Sequence, residues 1–355
     1  MLSRKITYII WRSNPGGIEV LIPSLIEHFG ITQCSVFILR NINDTEQDVF
    51  NGLPIKKYYG SKNNLIMLIK LYLYIIKNKD NIYHLFNAGP LVLLAAKLAF
   101  AKNIIYHIHG TVYWGNKFEK IYLKLIWELA LLKKNIFLAN SDWSKQRFKD
   151  QVSNIQSIKV IYNPINSKRF NFKLKYNIYI PKNIMYAGRL VEGKNLFKWI
   201  DMAYFLLKKD KNLIFNIYGD GPLKKDLINY IQQKGLEQKV IIKGFIKNIE
   251  SAYYENDLFI FLSEYESFGN VIVESILCGT PAVANNIPPM QEIFGDNPDF
   301  MIDINNNFKD SILKIIMNYP TLLERTKILT KEFRTKFSYS NHFRELNNIY
   351  EQFYK

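Results

Sequence analysis

The sequence predicts an α/β protein of two doubly wound, Rossmann-like domains facing each other across a cleft. Three observations lead there. Short runs rich in β-branched, leucine and aromatic residues alternate with segments of helical period through both halves of the chain. Several of these runs end in polar, glycine-bearing loops that open a helix, the place where open α/β sheets bind ligands. A length of 355 residues with 48% apolar residues suffices for two buried cores. The expected boundaries are a first domain over 1–165, a basic linker over 166–182 and a second domain over 183–338.

In chain order, strand 6–10 leads through Arg12-Ser-Asn-Pro-Gly-Gly-Ile-Glu19 into a helix over 20–29, and Gly16-Gly17 permits close backbone approach to a ligand. Strand 34–39 follows, then a polar stretch over 41–62 that reads as loop, then an apolar helix over 63–77. Strands at 82–86 and 103–108 flank a helix over 90–101, and the second ends in His107-Ile-His109-Gly110-Thr111. On a strand His107 and His109 share a face, but no third ligand follows at metal spacing, so no metal site is expected. A helix over 117–133, a strand at 136–139, a helix capped by Ser141 or Asp142, and a strand at 159–162 complete the first half.

The second half repeats the alternation. Strand 183–186 runs into Gly188-Arg189-Leu-Val-Glu-Gly-Lys194 and a helix over 196–208. Two cations at a strand-to-helix turn suit a diphosphate, Arg by bidentate contact and Lys as a point charge. Strands at 214–218, 240–243, 258–262 and 282–284 follow, with helices over 249–255 and 270–277 and three more over 307–319, 322–337 and 340–354. The stretch from Ser263 to Pro281 stands out. Glu266 lies in a Ser/Phe/Gly loop, Gly269 opens the helix, and Glu274 follows Glu266 by eight residues. A helix start with its unpaired N–H groups suits an anion.

Charge is unevenly placed. Of a net +16, residues 1–180 carry +15 (25 Lys/Arg against 10 Asp/Glu) and the remainder +1. Such a half points to an anionic lipid surface, to nucleic acid, or to a compositional bias without a partner. Membrane association, through the lysine-bordered helix 63–77, is preferred over nucleic acid. Two cysteines, Cys34 and Cys278, give no disulfide framework and suit a reducing cytoplasm, and no stretch reaches the roughly 20 apolar residues of a membrane span.

The Glu266-x7-Glu274 stretch with its trailing Gly-Thr-Pro, the Gly-Gly-x-Glu turn, the His109-Gly110 strand end and Gly188-Arg189-x4-Lys194 together resemble glycosyltransferase family 4 over nearly the whole chain. The resemblance implies the GT-B fold, with the last helix, 340–355, crossing back onto the first domain. It implies retaining transfer of a hexose-type sugar from a nucleotide diphosphate, with UDP favoured and GDP-mannose the alternative. The acceptor would be a saccharide hydroxyl, on a lipid-linked chain at the inner face of a bacterial membrane. Gly16, Gly17, Arg189 and Lys194 would meet the diphosphate and Gly244 and Phe245 the base. Glu266 would hold the sugar hydroxyls with the N–H groups of Phe268 and Gly269, and Asn270 would add a donor contact. Glu274 would grip the ribose, and His109 would lie beside the sugar. No Asp-x-Asp motif is present, and neither metal nor cofactor is expected. The alternatives are a nucleotide-sugar epimerase of the same fold, or a basic membrane- or nucleic-acid-binding module without catalysis.

Overall fold

The computed structural model describes residues 4–14, 16–40, 48–110, 117–131, 135–152, 155, 157–175 and 180–354. Pro15 of the glycine turn, Thr111, the end of the expected helix 117–133 and part of the expected linker lie outside them. The chain divides into two compact units, Met1–Asn163 with Ser340–Lys355, and Pro164–Tyr339.

The first unit runs β1 (Ile6–Ile10), α1 (Ile22–Phe29), β2 (Cys34–Ile38), β3 (Lys56–Tyr59), α2 (Asn64–Lys77), β4 (Ile82–Phe86), α3 (Pro90–Leu98), β5 (Asn103–Ile108), α4 (Lys117–Leu131), β6 (Ile136–Ala139), α5 (Asp142–Gln151) and β7 (Ile158–Val160). The strands form one parallel sheet in the order β3-β2-β1-β4-β5-β6-β7. Its central strands are buried along their whole length, the expected state of parallel strands covered on both faces. The topology reverses between β1 and β4, where Ile6 stands opposite both Cys34 and Ile82.

The second unit runs β8 (Asn183–Ala187), α6 (Leu196–Leu207), β9 (Ile214–Tyr218), α7 (Lys224–Gln233), β10 (Val240–Gly244), α8 (Ile249–Glu255), β11 (Leu258–Phe261), α9 (Asn270–Leu277), β12 (Ala282–Asn285), α10 (Pro288–Phe294), β13 (Met301–Ile302), α11 (Phe308–Met317) and α12 (Tyr319–Lys336). Its parallel sheet is ordered β10-β9-β8-β11-β12-β13 and reverses between β8 and β11. The final helix, α13 (Tyr339–Tyr350), has its body in the first unit, where His342, Leu346, Ile349 and Tyr350 are buried.

Several elements differ from the sequence reading. The stretch 41–62 contains a strand, β3, because Lys56-Lys57-Tyr58-Tyr59 is a four-residue edge strand paired to β2 from Ser35. Charged, short edge strands resist further pairing and carry little apolar signal. Helix α7 was not expected at all, since it buries only Leu227 and Ile231. Helix α1 begins at Ile22 because residues 17–21 form turns. Residues 164–175 pack on the second unit: Phe170 is buried, and the Lys175 ammonium donates to the carbonyls of Tyr254 (3.0 Å) and Asn256 (2.6 Å).

Helices α2 to α5 share one core against the first sheet, contributing Leu71, Leu93, Trp127 and Phe148 among others, so they cover one face of it. Their outer side is apolar as well. Leu65, Ile66, Ile69, Leu73 and Ile76 of α2 and Ile121, Tyr122, Leu125 and Leu129 of α4 are exposed, each set recurring at helical spacing.

Trp127 is the largest side chain of that core, edge-on to Tyr106 (5.3 Å) and Phe148 (5.0 Å). Trp127→Ala is expected to destabilise the first unit by about 3–5 kcal/mol and Trp127→Phe by clearly less, read from equilibrium chemical unfolding.

Candidate active site

In the second unit the loops after β8 and β11 leave the neighbouring strands at which the sheet reverses, so no crossover helix lies over the gap between them. The loop after β9 joins them from the other side. The Gly188 N–H donates to the Tyr218 carbonyl (3.0 Å), the Leu190 N–H to the Asp220 carbonyl (2.9 Å) and the Gly219 N–H to the Gly244 carbonyl (2.8 Å). This approach depends on Gly219, whose φ is +143° and where an added Cβ would fall 1.8 Å from the Gly188 carbonyl oxygen. Across the reversal the Glu264 N–H donates to the Gly193 carbonyl (2.9 Å), and the Asn195 amide donates to the Leu262 carbonyl (2.9 Å) and the Glu264 carboxylate (3.1 Å).

Three charged groups gather at this edge of the unit. The Lys194 ammonium pairs with the Glu266 carboxylate and donates to the Ser263 hydroxyl at 3.3 Å. Arg189 is exposed and has no ion pair among the described residues. Beneath it the Tyr186 hydroxyl donates to the Arg189 carbonyl at 3.1 Å. That hydroxyl's pKa is raised, first by burial and then by the Glu266 carboxylate, with Arg189 acting in the opposite direction, so Tyr186 lies within the field of both. Lys194, Glu266 and Arg189 are therefore gathered around one tyrosine.

Glu274 has a different setting. It lies on α9, half-buried, and accepts from the Tyr253 hydroxyl at 3.1 Å. Burial pushes its carboxyl up to about 7, against the hydrogen bond from Tyr253 and the charge of Arg169. Arg169 is itself held by Glu250 (2.8 Å) and the Lys247 carbonyl (2.8 Å), just past β10. Gly269 precedes α9 with φ +104°, and an added Cβ would meet the Met290 methyl at 2.7 Å, so the helix start carries no side chain of its own. Phe268 is buried against Phe337, Asn270 is half-buried, and Phe245 after Gly244 is exposed.

The remaining expected residues belong to the first unit. Gly16 and Gly17 follow β1, where the Val20 N–H closes back on the Gly16 carbonyl at 3.1 Å. The Trp11 indole N–H donates to the Asn87 carbonyl (3.0 Å), tying the loop after β1 to the loop after β4. His109 follows β5 and is buried, with neither ring nitrogen hydrogen-bonded among the described residues. Burial, with a contribution from His342, lowers its pKa to about 3, so it is neutral.

Sequence reasoning missed Tyr186, Asn195, Ser263, Tyr253 and Arg169. Only Asn195 carried a local signal, since an asparagine ahead of a helix tolerates the left-handed backbone found there, φ +54°. The others are defined by neighbours 18 or more residues away, or by backbone that any sequence supplies. Among the described residues no group of three or more His, Cys, Asp or Glu is placed to hold a metal ion.

Comparison with known proteins gives a consistent picture. Residues 15–169 match the family described as Glycosyltransferase Family 4, and residues 169–332 match Glycosyl transferases group 1. The chain is 30% identical over 234 residues to the N-acetylgalactosamine-N,N'-diacetylbacillosaminyl-diphospho-undecaprenol 4-alpha-N-acetylgalactosaminyltransferase of Campylobacter jejuni, covering 64% of this chain and 61% of that one. It is 25% identical to the O-antigen biosynthesis glycosyltransferase WclY of Escherichia coli, covering 96% and 99%. The solved structure of HepE from Anabaena with UDP and glucose superposes with a TM-score of 0.81 at 17% identity, over 97% of this chain and 98% of that one.

The raised pKa of Glu274 carries a stability signature. An unfolded glutamate titrates near 4.5, so between about 4.5 and about 7 the native state holds a proton that the unfolded state has lost. Native stability therefore falls as pH rises through that window and is level above it. Glu274→Gln removes the effect. The variant should match the wild type at pH 4 and exceed it at pH 8 by at most about 3 kcal/mol, reduced by the water that reaches the half-buried carboxyl, as measured by chemical unfolding.

Proposed function

This chain belongs to glycosyltransferase family 4 and is a glycosyltransferase of GT-B fold, and we propose that it moves a hexose-type sugar from a UDP-linked donor, with retention, to a hydroxyl of a lipid-linked saccharide. The observation that carries this reading is the meeting of Lys194 and Glu266, with Arg189 beside them, at the β8/β11 reversal. Leaving-group departure puts negative charge on the diphosphate, and two cations on loops fixed by backbone hydrogen bonds stabilise it without reorganising. Arg189 and Lys194 do this in place of a divalent cation. Glu266 takes the sugar hydroxyls, with the N–H groups of Phe268 and Gly269 and a contact from Asn270. Glu274 takes the ribose, and Gly244 and Phe245 border the base. Of the first unit, Gly16 and Gly17 are assigned to the diphosphate and His109 to the sugar. Retention follows from attack on the face the diphosphate leaves. The bond from C1 to the phosphate oxygen breaks, the bond from C1 to the acceptor oxygen forms, and the acceptor proton passes to the departing phosphate.

The acceptor class is supported by the undecaprenyl-linked substrate named for the Campylobacter relative and by the O-antigen role named for WclY. The relatives are transferases, which favours transfer over epimerisation. The membrane reading rests on the exposed apolar sides of α2 and α4 together with Lys62, Lys70, Lys77 and Lys79, all exposed. Apolar side chains bordered by lysines suit the inner leaflet of an anionic bilayer, where each cation adds about 1 kcal/mol. No helix of the described residues is long and apolar enough to cross a membrane. The protein would work at the cytoplasmic face as a peripheral enzyme, with no nucleic-acid partner.

Turnover of a panel of UDP- and GDP-sugars, followed by mass spectrometry with a lipid-linked acceptor, tests the reaction. Arg189→Ala and Lys194→Ala should each lose about two orders of magnitude in kcat, the scale of one lost oxyanion contact, and a chelator should change nothing. Glu266→Gln releases Lys194 from its pair. UDP should then bind as well or better while sugar transfer falls, and turnover at the wild-type rate would remove the role given to Glu266. For the membrane, Leu65→Glu with Ile69→Glu should abolish co-flotation with anionic vesicles, and binding of the unaltered protein should weaken with salt.

A further inference from the structure

Three buried side chains behind His109 have no part in the function described so far. The Tyr350 hydroxyl, on the last helix α13, lies 2.7 Å from His84 Nδ1 on β4. His84 Nε2 lies 3.2 Å from His107 Nδ1 on β5. The His107 ring is next to the His109 ring, with centroids 4.1 Å apart. His84 and His107 are stacked nearly parallel (14°, centroids 5.3 Å), with Phe86 stacked on the His84 ring at 4.2 Å. Tyr350, His84 and His107 are fully buried.

A neutral imidazole carries one N–H and one lone pair, so a chain of two imidazoles has a single sense throughout. Phenol is the stronger acid and imidazole the stronger base. The favoured sense therefore starts at Tyr350, whose O–H donates to His84 Nδ1. His84 Nε2–H then donates to His107 Nδ1, and the remaining proton of His107 must sit on Nε2. That nitrogen, like both nitrogens of His109, is without a hydrogen-bond partner among the described residues. Burial lowers the pKa of both histidines well below the ordinary value, which keeps the chain uncharged.

We propose that Tyr350, His84 and His107 are positioning residues for His109: the chain fixes the tautomer and plane of the His107 ring, and that ring fixes the plane of His109 beside the transferred sugar. The proposal rests on the reading that His109 contacts the sugar. It gives the last helix a part in the site beyond closing the first unit, since the donor that orders the chain is its own tyrosine. The motif residues His107 and His109 thereby divide the work, His109 meeting ligand and His107 relaying the orientation set by Tyr350 through His84.

Tyr350→Phe removes only the hydroxyl. With unchanged circular dichroism, it should lower kcat about tenfold, less than the roughly hundredfold that a misplacement of about 1 Å can cost. KM for the nucleotide sugar should stay within about twofold, since an orientation effect acts on the chemical step more than on uniform binding. Long-range imidazole ¹⁵N spectra should show the His107 tautomer shifted in this variant. On a His109→Ala background, Tyr350→Phe should add nothing. His84→Gln keeps a donor toward His107 and should retain more activity than His84→Leu, a comparison that stands if Tyr350→Phe folds poorly. If His109→Ala lowers turnover while Tyr350→Phe leaves turnover and the His107 ring signals at wild-type values, the chain is overturned and the His109 reading survives. An equal loss from Tyr350→Phe with and without His109 would also overturn it. Wild-type turnover in His109→Ala would overturn the His109 reading itself, and the proposal with it.

Discussion

The reversal of the second sheet between β8 and β11 is the constraint from which the candidate site follows. Crossover helices leave those two strands in opposite directions, so the ends of the strands stay uncovered and their loops are free to meet a ligand. The loops are nonetheless tightly fixed. Backbone hydrogen bonds join Gly188, Leu190 and Gly193 to the loops after β9 and β11, and Gly219 lets two main chains approach more closely than any Cβ permits. Charged side chains mounted on such loops keep their positions when charge develops in front of them, which is the condition for electrostatic stabilisation of a departing diphosphate.

Local electrostatics here come from few groups. Lys194 is already paired with Glu266, so the pair adds no net charge until a ligand separates their roles, while Arg189 faces solvent. Glu274 sits apart from that pair in a drier setting with Tyr253, and its raised pKa reflects burial more than any neighbour. The two glutamates of one motif thus occupy different environments. The large positive charge of the chain lies elsewhere, in the first 180 residues. There it accompanies helices that are apolar on both sides.

The first unit also shows how the end of the chain contributes to its core. Helix α13 packs onto β1, β4 and α1 through Tyr350 and Phe343, with the Phe29 and Tyr350 rings 4.8 Å apart and His28 stacked on Phe343 at 4.1 Å. Glu345 pairs with Lys159 at 2.5 Å and His342 meets the Tyr162 carbonyl at 2.8 Å, so the helix is registered along its length. Buried imidazoles are a costly choice unless their partners are in place; both ring nitrogens of His84 have one, and Nδ1 of His107 has one.

The sequence by itself determined the α/β alternation, the buried parallel strands and the loops that bear Arg189, Lys194, Glu266 and Glu274. Those follow from local hydrophobic period and from glycine and charge placed at strand ends. It was silent where the pattern is weak, as in the four-residue charged edge strand β3 and in α7, which buries two side chains. Only the tertiary structure decided that Lys194 pairs with Glu266 across 72 residues, that Tyr186 underlies Arg189, and that Tyr253 rather than a cation partners Glu274. It alone joined Tyr350 to His84 across 266 residues. The physical reason is that strand order and crossover direction bring distant residues within hydrogen-bond range, and neither leaves a mark on the composition or spacing of the residues involved.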